Sequence, residues 1–186
     1  MGRVTWGFTS SLDGFITGPD HDMSWMSGLG SLADGTVENL ASRVAVIISG
    51  RRGYDAAKAQ ADERDELTSE AYGGAWSGTE FILTHRPEEL ADDPNVTAMN
   101  CSIAEAIDRA QPIAGDRDIQ IISAVIARQA LDVDLIDEMQ VFVAPVFLGD
   151  GTRIFDVPGG RRIVWELVEI DEANREAFVR TYRPKR

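Results

Sequence analysis

The stretch Ile-Ile-Ser-Ala-Val-Ile-Ala-Arg-Gln-Ala-Leu at residues 121–131 runs from an apolar strand into an amphipathic helix. Strand-to-helix joins of this kind bind phosphate groups, because the first N–H groups of a helix lack partners and attract anions. Compact phosphate sites use glycine at the join, where a Cβ atom would obstruct the anion. Ser123 and Ala124 occupy those places here. The stretch predicts a layered α/β fold, and it leaves open whether the join binds a dinucleotide.

Strand-like and helix-like patterns alternate on both sides of this stretch, which is typical of an α/β domain. Strands are predicted at residues 3–8, 44–49, 81–84, 96–99, 119–122 and 139–148. Helices are predicted at 36–43, 50–59, 103–111 and 125–131, the third opened by a capping box of Ser102 and Glu105. Polar loops are predicted at 17–35 and 60–78, and an antiparallel hairpin of strands at 163–170 and 176–182. Without repeats or a linker, residues 1–186 are predicted to form one domain.

The bulk composition limits the classes of partner. The chain has 186 residues, 44% of them hydrophobic and 26% charged, as expected for a folded domain. Its net charge of −13 repels nucleic acids and anionic membranes, which favours a small-molecule partner. One cysteine and two histidines provide neither an internal disulfide nor a cluster with metal-ligand spacing, so no metal site is predicted.

The longest apolar runs, such as 44–48 and 141–148, are far shorter than the roughly 20 residues that a membrane span needs. The first residues, Met-Gly-Arg-Val-Thr-Trp, lack the apolar core of a signal peptide. A cytoplasmic location is therefore expected.

Seven short segments follow one another along the chain. The first four are Ser-Leu-Asp-Gly-Phe-Ile (11–16), Ser-Gly-Arg-Arg-Gly-Tyr-Asp (49–55), Gly-Gly-Ala-Trp (73–76) and Ile-Leu-Thr-His-Arg-Pro (82–87). The last three are Ile-Ala-Arg-Gln-Ala-Leu (126–131), Leu-Ile-Asp-Glu-Met (135–139) and Ala-Pro-Val-Phe-Leu-Gly-Asp-Gly-Thr-Arg-Ile-Phe (144–155). Together, in this order and at plausible spacing, they closely resemble the bacterial dihydrofolate-reductase-like family that includes the C-terminal reductase domain of riboflavin biosynthesis. The resemblance spans nearly the whole chain.

The resemblance implies a three-layer fold: a central mixed, mostly parallel sheet of about eight strands, flanked by helices and ended by an antiparallel hairpin. It also implies a homodimer that uses NADPH as its cofactor. The implied reaction is hydride transfer to a C=N or similar bond of a pyrimidine- or pterin-like molecule, as in the riboflavin-pathway uracil reductases or dihydrofolate reductase. Because one fold hosts several functions, the substrate itself is not specified.

Asp13 is the first candidate for chemistry. An Asp-Gly pair is a common turn, so a structural role alone is one interpretation. The other is that its carboxylate faces the cleft, holds ring N–H groups and, with a pKa raised in a pocket of low polarity, relays a proton. The resemblance places Ser11 and Asp13 in the substrate cleft. In dihydrofolate reductases proper the acidic residue comes later, on a helix, which argues against folate as the substrate.

The second candidate is the turn formed by Ser49, Gly50, Arg51 and Arg52. A glycine at the mouth of a helix lets a ligand approach the backbone, and two arginines supply donors for phosphate. The alternative is that both arginines are solvated or pair with the surplus carboxylates. The resemblance places this turn against the cofactor, with Thr84 and Arg86 near the adenosine 2′-phosphate.

The opening stretch is the third candidate, and the resemblance implies that the backbone of Ser123, Ala124, Val125 and Ile126 holds the cofactor pyrophosphate. If residue 123 required a positive φ, serine there would cost on the order of 1 kcal/mol.

Trp25, in a glycine-rich loop, either stacks on an aromatic substrate or folds the loop down. Two functions remain: the NADPH-dependent reductase, and a non-catalytic member of the fold that binds a planar ligand such as a flavin, a pterin or a secondary metabolite.

Overall fold

A computed structural model describes residues 1–27, 29, 32–63, 71–174 and 178–185. In this part of the chain, strands β1 to β10 are Val4–Ser10, Phe15–Thr17, Val44–Gly50, Thr79–Leu83, Val96–Met99, Asp118–Ile121, Glu138–Val143, Thr152–Arg153, Trp165–Ile170 and Phe178–Pro184. Helices α1 to α4 are Thr36–Arg43, Arg51–Glu63, Ile103–Ala114 and Ala124–Asp132. Short 3-10 turns are Pro19–His21, Ser24–Met26, Ala71–Gly74 and Pro87–Leu90.

The main sheet has eight strands in the order β5-β4-β3-β6-β1-β7-β10-β9. The first six are parallel to one another, and β10 and β9 add the antiparallel hairpin at one edge. The predicted mixed, mostly parallel sheet with a C-terminal hairpin is therefore confirmed. β2 and β8 form a separate antiparallel pair.

The core lies between the sheet and the helices α3 and α4. Alternate residues of β3 and β6, including Val46, Ile48 and Ile121, pack against Ile107 of α3 and Ala127 of α4. Burial of this kind stabilises by about 25 cal/mol for each Å² of apolar surface removed from water. The predicted capping box of α3 is present, since Ser102 Oγ accepts from the backbone of Glu105 and the Glu105 carboxylate accepts from the backbone of Ser102.

One strand prediction is wrong. Residues 139–148 were expected to form a single long strand, but β7 ends at Val143 and residues 144–151 leave the sheet. The backbone of this segment bonds instead to the turn after β1, with the N–H of Leu12 donating to the carbonyl oxygen of Val146 at 2.8 Å. Pro145 has no N–H with which to continue the ladder.

Parts of three other predictions lie outside the described residues: 28, 30 and 31 of the first polar loop, 64–70 of the second, and 176–177 of the last strand. Among the helices that the structure describes, none has the length and apolar character needed to cross a membrane.

The chain order defines a crevice at the carboxyl edge of the sheet. After β3 the chain moves outward to β4, whereas after β6 it crosses β1 to reach β7. In open α/β sheets, ligands bind outside the carboxyl ends of the strands at such a switch point. The carboxyl ends of β3, β4, β6, β1 and β7 therefore border the crevice in which a ligand is expected.

Candidate active site

Two helices begin side by side at the switch point. Gly50 ends β3 and precedes α2, and Ser123 follows β6 and precedes α4. A Cβ atom built at Gly50 would lie 3.4 Å from Ser123 Oγ and 3.6 Å from Ile126 Cγ1. Gly50 therefore lies close to the first turn of α4, and the N-termini of α2 and α4 are neighbours. This geometry suits a diphosphate, because both helix N-termini favour negative charge.

Ser123 is the N-cap of α4. Its backbone has φ −112° and ψ 128°, an extended conformation that any residue adopts, so serine is not strained there. Its Oγ accepts from the backbone N–H of Ile126 at 3.5 Å. Serine is among the residues preferred at this position. The condition under which serine would be strained, a positive φ at residue 123, is therefore not met, and the absence of glycine has a local structural reason.

Arg51 and Arg86 meet on the same carboxylate. Arg51 Nη1 donates to Glu89 Oε2 at 2.8 Å, and Arg86 Nη1 donates to Glu89 Oε1, also at 2.8 Å. Arg51 Nε additionally donates to Asp55 Oδ1 at 2.7 Å. Arg51 therefore pairs with two of the surplus carboxylates. Arg52 is exposed and has no hydrogen-bond or ion-pair partner in the described part of the chain.

The side chain of Ser49 does not reach the strand edge. It is 4% exposed and its Oγ donates to Glu80 Oε1 at 3.0 Å. Burial raises the pKa of Glu80, which the hydrogen bond from Ser49 opposes. Of Ser49, only the backbone is therefore open to a cofactor. Thr84 Oγ1 accepts from the backbone N–H of Arg86 at 3.1 Å and so fixes the turn that carries this arginine.

Asp13 ties the end of β1 to the loop after β7. Its Oδ1 accepts from Ser11 Oγ at 2.5 Å and from the N–H of Leu148 at 3.1 Å, and its Oδ2 accepts from the N–H of Gly149 at 2.7 Å. The hydrogen bond from Ser11, with those from Gly149 and Leu148, lowers the pKa of Asp13 from 3.8 to about 2. The expected rise in its pKa is therefore wrong, because three donors stabilise the ionised form.

Ser11 belongs to the same hydrogen-bond network as Asp13, and its side chain is too buried to contact a ligand. It is 1% exposed, and its Oγ accepts from the N–H of Phe15 at 3.0 Å while donating to Asp13. Its expected role in contacting substrate is corrected to a structural one: it holds the turn that presents Asp13.

The depressed pKa of Asp13 makes a prediction for stability against pH. Because the folded-state pKa lies below the unfolded one, the contribution of Asp13 is present above the unfolded value of 3.8 and is lost as pH falls toward about 2. The melting temperature of wild type should exceed that of Asp13→Asn by a constant amount above about pH 5, and the gap should shrink below about pH 4. Thermal melts of both proteins across this range test it, and a gap that widens in acid contradicts it.

Trp25 lies in the 3-10 turn Ser24–Met26 of the loop after β2. This loop is fastened to α2, since Gln60 Oε1 accepts from the N–H of Met23 at 2.8 Å and Gln60 Nε2 donates to the carbonyl oxygen of His21 at 3.0 Å. The indole Nε1 of Trp25 is buried and has no hydrogen-bond partner among the described residues. A buried, unpaired donor is costly, and this N–H is covered by other atoms of the protein.

Three apolar side chains that the sequence did not single out are exposed along the same edge. Leu12 follows β1, Ile122 follows β6 and Phe147 lies in the loop after β7, on three adjacent strands. Phe147 is 74% exposed. Val125, in the first turn of α4, is exposed too. Their position after strand ends is the signal that identifies them, because such residues have no neighbouring strand to cover them.

Known proteins share this fold. The model of the RibD C-terminal domain family matches residues 115–178, about a third of the chain. A putative riboflavin biosynthesis protein from Shewanella sp. PV-4 has a similar structure, with a TM-score of 0.73, 22% identity and coverage of 100% of both chains. Sequence comparison with curated proteins finds no match.

Two further solved structures are similar to the whole chain. Acinetobacter baumannii RibD matches with a TM-score of 0.70 and 18% identity, and this chain spans 59% of that longer protein. Dihydrofolate reductase from Enterococcus faecalis, solved in complex with NADP(H), matches with a TM-score of 0.63 and 15% identity over 98% of its length. The chain therefore has the dihydrofolate-reductase-like fold, and its resemblance to the RibD C-terminal domain is confirmed over residues 115–178.

Proposed function

We propose that this protein is an NADPH-dependent reductase that transfers hydride to a C=N or similar bond of a flat, pyrimidine- or pterin-like small molecule. The observation that carries the proposal is the close approach of Gly50 to Ser123, which brings the N-termini of α2 and α4 together at the switch point of the sheet. The similar E. faecalis dihydrofolate reductase was solved with NADP(H), and the similar A. baumannii protein is a RibD.

The residues at the carboxyl edge fit such a cofactor. The first N–H groups of α2 and α4 would hold the pyrophosphate, and Arg86 with Thr84 would lie toward the adenosine 2′-phosphate. Reduced nicotinamide supplies a hydride to the substrate when it is bound. The exposed Leu12 and Phe147 offer apolar surface for a flat ring.

Asp13 acts in this proposal as an ionised acceptor. Its low pKa keeps it deprotonated at neutral pH, so it can accept a ring N–H of the substrate but does not supply a proton. When hydride adds to the carbon of a C=N bond, the nitrogen takes its proton from water. The rate is therefore expected to show no titration of Asp13 between pH 5 and 9, a range well above its pKa.

A negative charge introduced at position 123 tests the proposed cofactor site. Wild type is expected to bind NADPH in a fluorescence titration, and Ser123→Asp is expected to bind at least about tenfold more weakly, because a carboxylate there repels the pyrophosphate. The melting temperature should change little, since aspartate caps a helix as well as serine does.

The matched control is Ser123→Asn, which has the shape and capping ability of aspartate without its charge. It should bind NADPH within a few-fold of wild type. Equal affinity of the Asp and Asn variants would remove residue 123 from the cofactor site. If wild type shows no saturable binding of NADPH up to about 1 mM, the proposal of an NADPH-dependent reductase is wrong. The non-catalytic protein that binds a planar ligand is then the remaining function.

A further inference from the structure

Glu89 joins the two arginines at the outer end of the proposed cofactor site. Each of its carboxylate oxygens accepts from a different guanidinium, Oε2 from Arg51 and Oε1 from Arg86, both at 2.8 Å. The geometry is the one in which two arginines clamp a phosphate group. Glu89 therefore occupies, with its own negative charge, the position that a phosphate would take between these two side chains.

The location of this cluster relates it to the cofactor. Arg51 is the first residue of α2, directly after Gly50, and Arg86 follows the neighbouring strand β4. A dinucleotide whose pyrophosphate lies above Gly50 and whose adenosine extends toward β4 would place its ribose beside these arginines. Thr84 Oγ1 holds the backbone N–H of Arg86 at 3.1 Å, so the turn that carries Arg86 is fixed while its side chain stays 72% exposed.

We propose that Glu89 is a specificity-determining residue that opposes the adenosine 2′-phosphate and so narrows the preference for NADPH over NADH. The inference rests on the proposed use of a nicotinamide dinucleotide. A 2′-phosphate must displace Glu89 from Arg51 and Arg86 or lie beside a like charge. A ribose 2′-hydroxyl can instead donate to the carboxylate, as it does to the acidic residue of NAD-binding sites.

The displacement is feasible because these ion pairs are exposed. The Glu89 side chain is 37% exposed, and exposed ion pairs are individually weak. Two such pairs freed together correspond to a change in affinity of roughly three- to tenfold. Glu89 therefore adjusts the cofactor preference and does not abolish the binding of either form.

The test compares the binding of NADPH and NADH to the full chain by fluorescence titration at fixed ionic strength. Glu89→Gln should lower the Kd for NADPH roughly three- to tenfold. It should leave the Kd for NADH within about twofold, because the amide oxygen of glutamine still accepts from the 2′-hydroxyl. The matched control is Glu88→Gln, which makes the same charge change one residue away, where the side chain is exposed and has no arginine partner in the described part of the chain. This control should move neither Kd.

A second comparison locates the effect. In an Arg86→Gln background, the added Glu89→Gln change should improve NADPH binding by less than in the wild-type background, because the two residues act together. Equal changes in both cofactors, or no change in either, would overturn the role of Glu89 while leaving the reductase proposal intact. Failure of every protein to bind either nucleotide would overturn both proposals.

Discussion

Replacing Gly151 by alanine is expected to destabilise the protein by about 3 kcal/mol, a fall in melting temperature of roughly 6–12 °C. Gly151 has φ +130°, a backbone conformation that side chains disfavour, and a Cβ atom there would lie 1.9 Å from the carbonyl oxygen of Thr17. Either the pair of β2 and β8 separates or the loop after β7 moves. A thermal or chemical unfolding curve measures the loss.

The matched control is Gly149→Ala, in the same loop. Gly149 has φ +76°, but a Cβ atom there would have no atom within 4 Å. Alanine at this position therefore costs only the strain of a positive φ and makes no steric clash. That strain is about 1 kcal/mol, roughly 2–4 °C. The expected order is therefore wild type, Gly149→Ala, then Gly151→Ala. Equal losses in the two variants would show that the contact with Thr17 carries no energy.

Replacing Asp13 by asparagine is expected to lower kcat/KM by on the order of 100-fold if the protein is the proposed reductase. Asp13 accepts from three donors: Ser11 Oγ and the N–H groups of Leu148 and Gly149. An asparagine amide has one oxygen in place of two, and its NH₂ group would face a donor. The loop after β7 then loses its attachment and no longer holds the cleft in a reactive geometry.

A direct readout accompanies the kinetics. Hydrogen exchange at the Leu148 and Gly149 amides should speed up in Asp13→Asn, because these amides lose their acceptor. The control is Asp156→Asn, which makes the same charge change at an exposed carboxylate with no hydrogen-bond partner among the described residues. Faster exchange with unchanged turnover would confine Asp13 to a structural role. Unchanged exchange would contradict the hydrogen bonds from the Leu148 and Gly149 amides to Asp13.

The regular part of the fold was predictable because its signals are local. Helix 36–43 matches α1, the capping box of Ser102 and Glu105 places the start of α3, and the apolar run at 44–49 matches β3. Each of these depends on residues within one or two turns of chain. Residues 144–148 were misinterpreted as strand because they are apolar, yet their partners are in the turn after β1, more than 130 residues earlier.

The candidate site was predictable only as far as its backbone. The strand ends at Gly50, Thr84 and Ser123 follow from the alternation of strands and helices, and they do lie on adjacent parallel strands. Side-chain partners did not follow, because they depend on contacts across the fold. The pairing of Arg51 with Glu89 joins residues 38 positions apart.

The environment of Asp13 was mistaken for the same reason. An Asp-Gly pair indicates a turn, but nothing near it in the chain indicates that two backbone N–H groups from the loop after β7 converge on the carboxylate. The direction of a pKa shift depends on the donors that reach the group, and two of these three donors are distant in sequence.

The bridge through Asp13 also constrains any redesign of the cleft. Exchanging only the turn at residues 11–15 for that of a relative would leave the Leu148 and Gly149 amides without their carboxylate. Exchanging only the loop after β7 would leave the carboxylate without two of its donors. The two segments form one structural unit, so a chimaera built to alter the choice of substrate has to transfer both together.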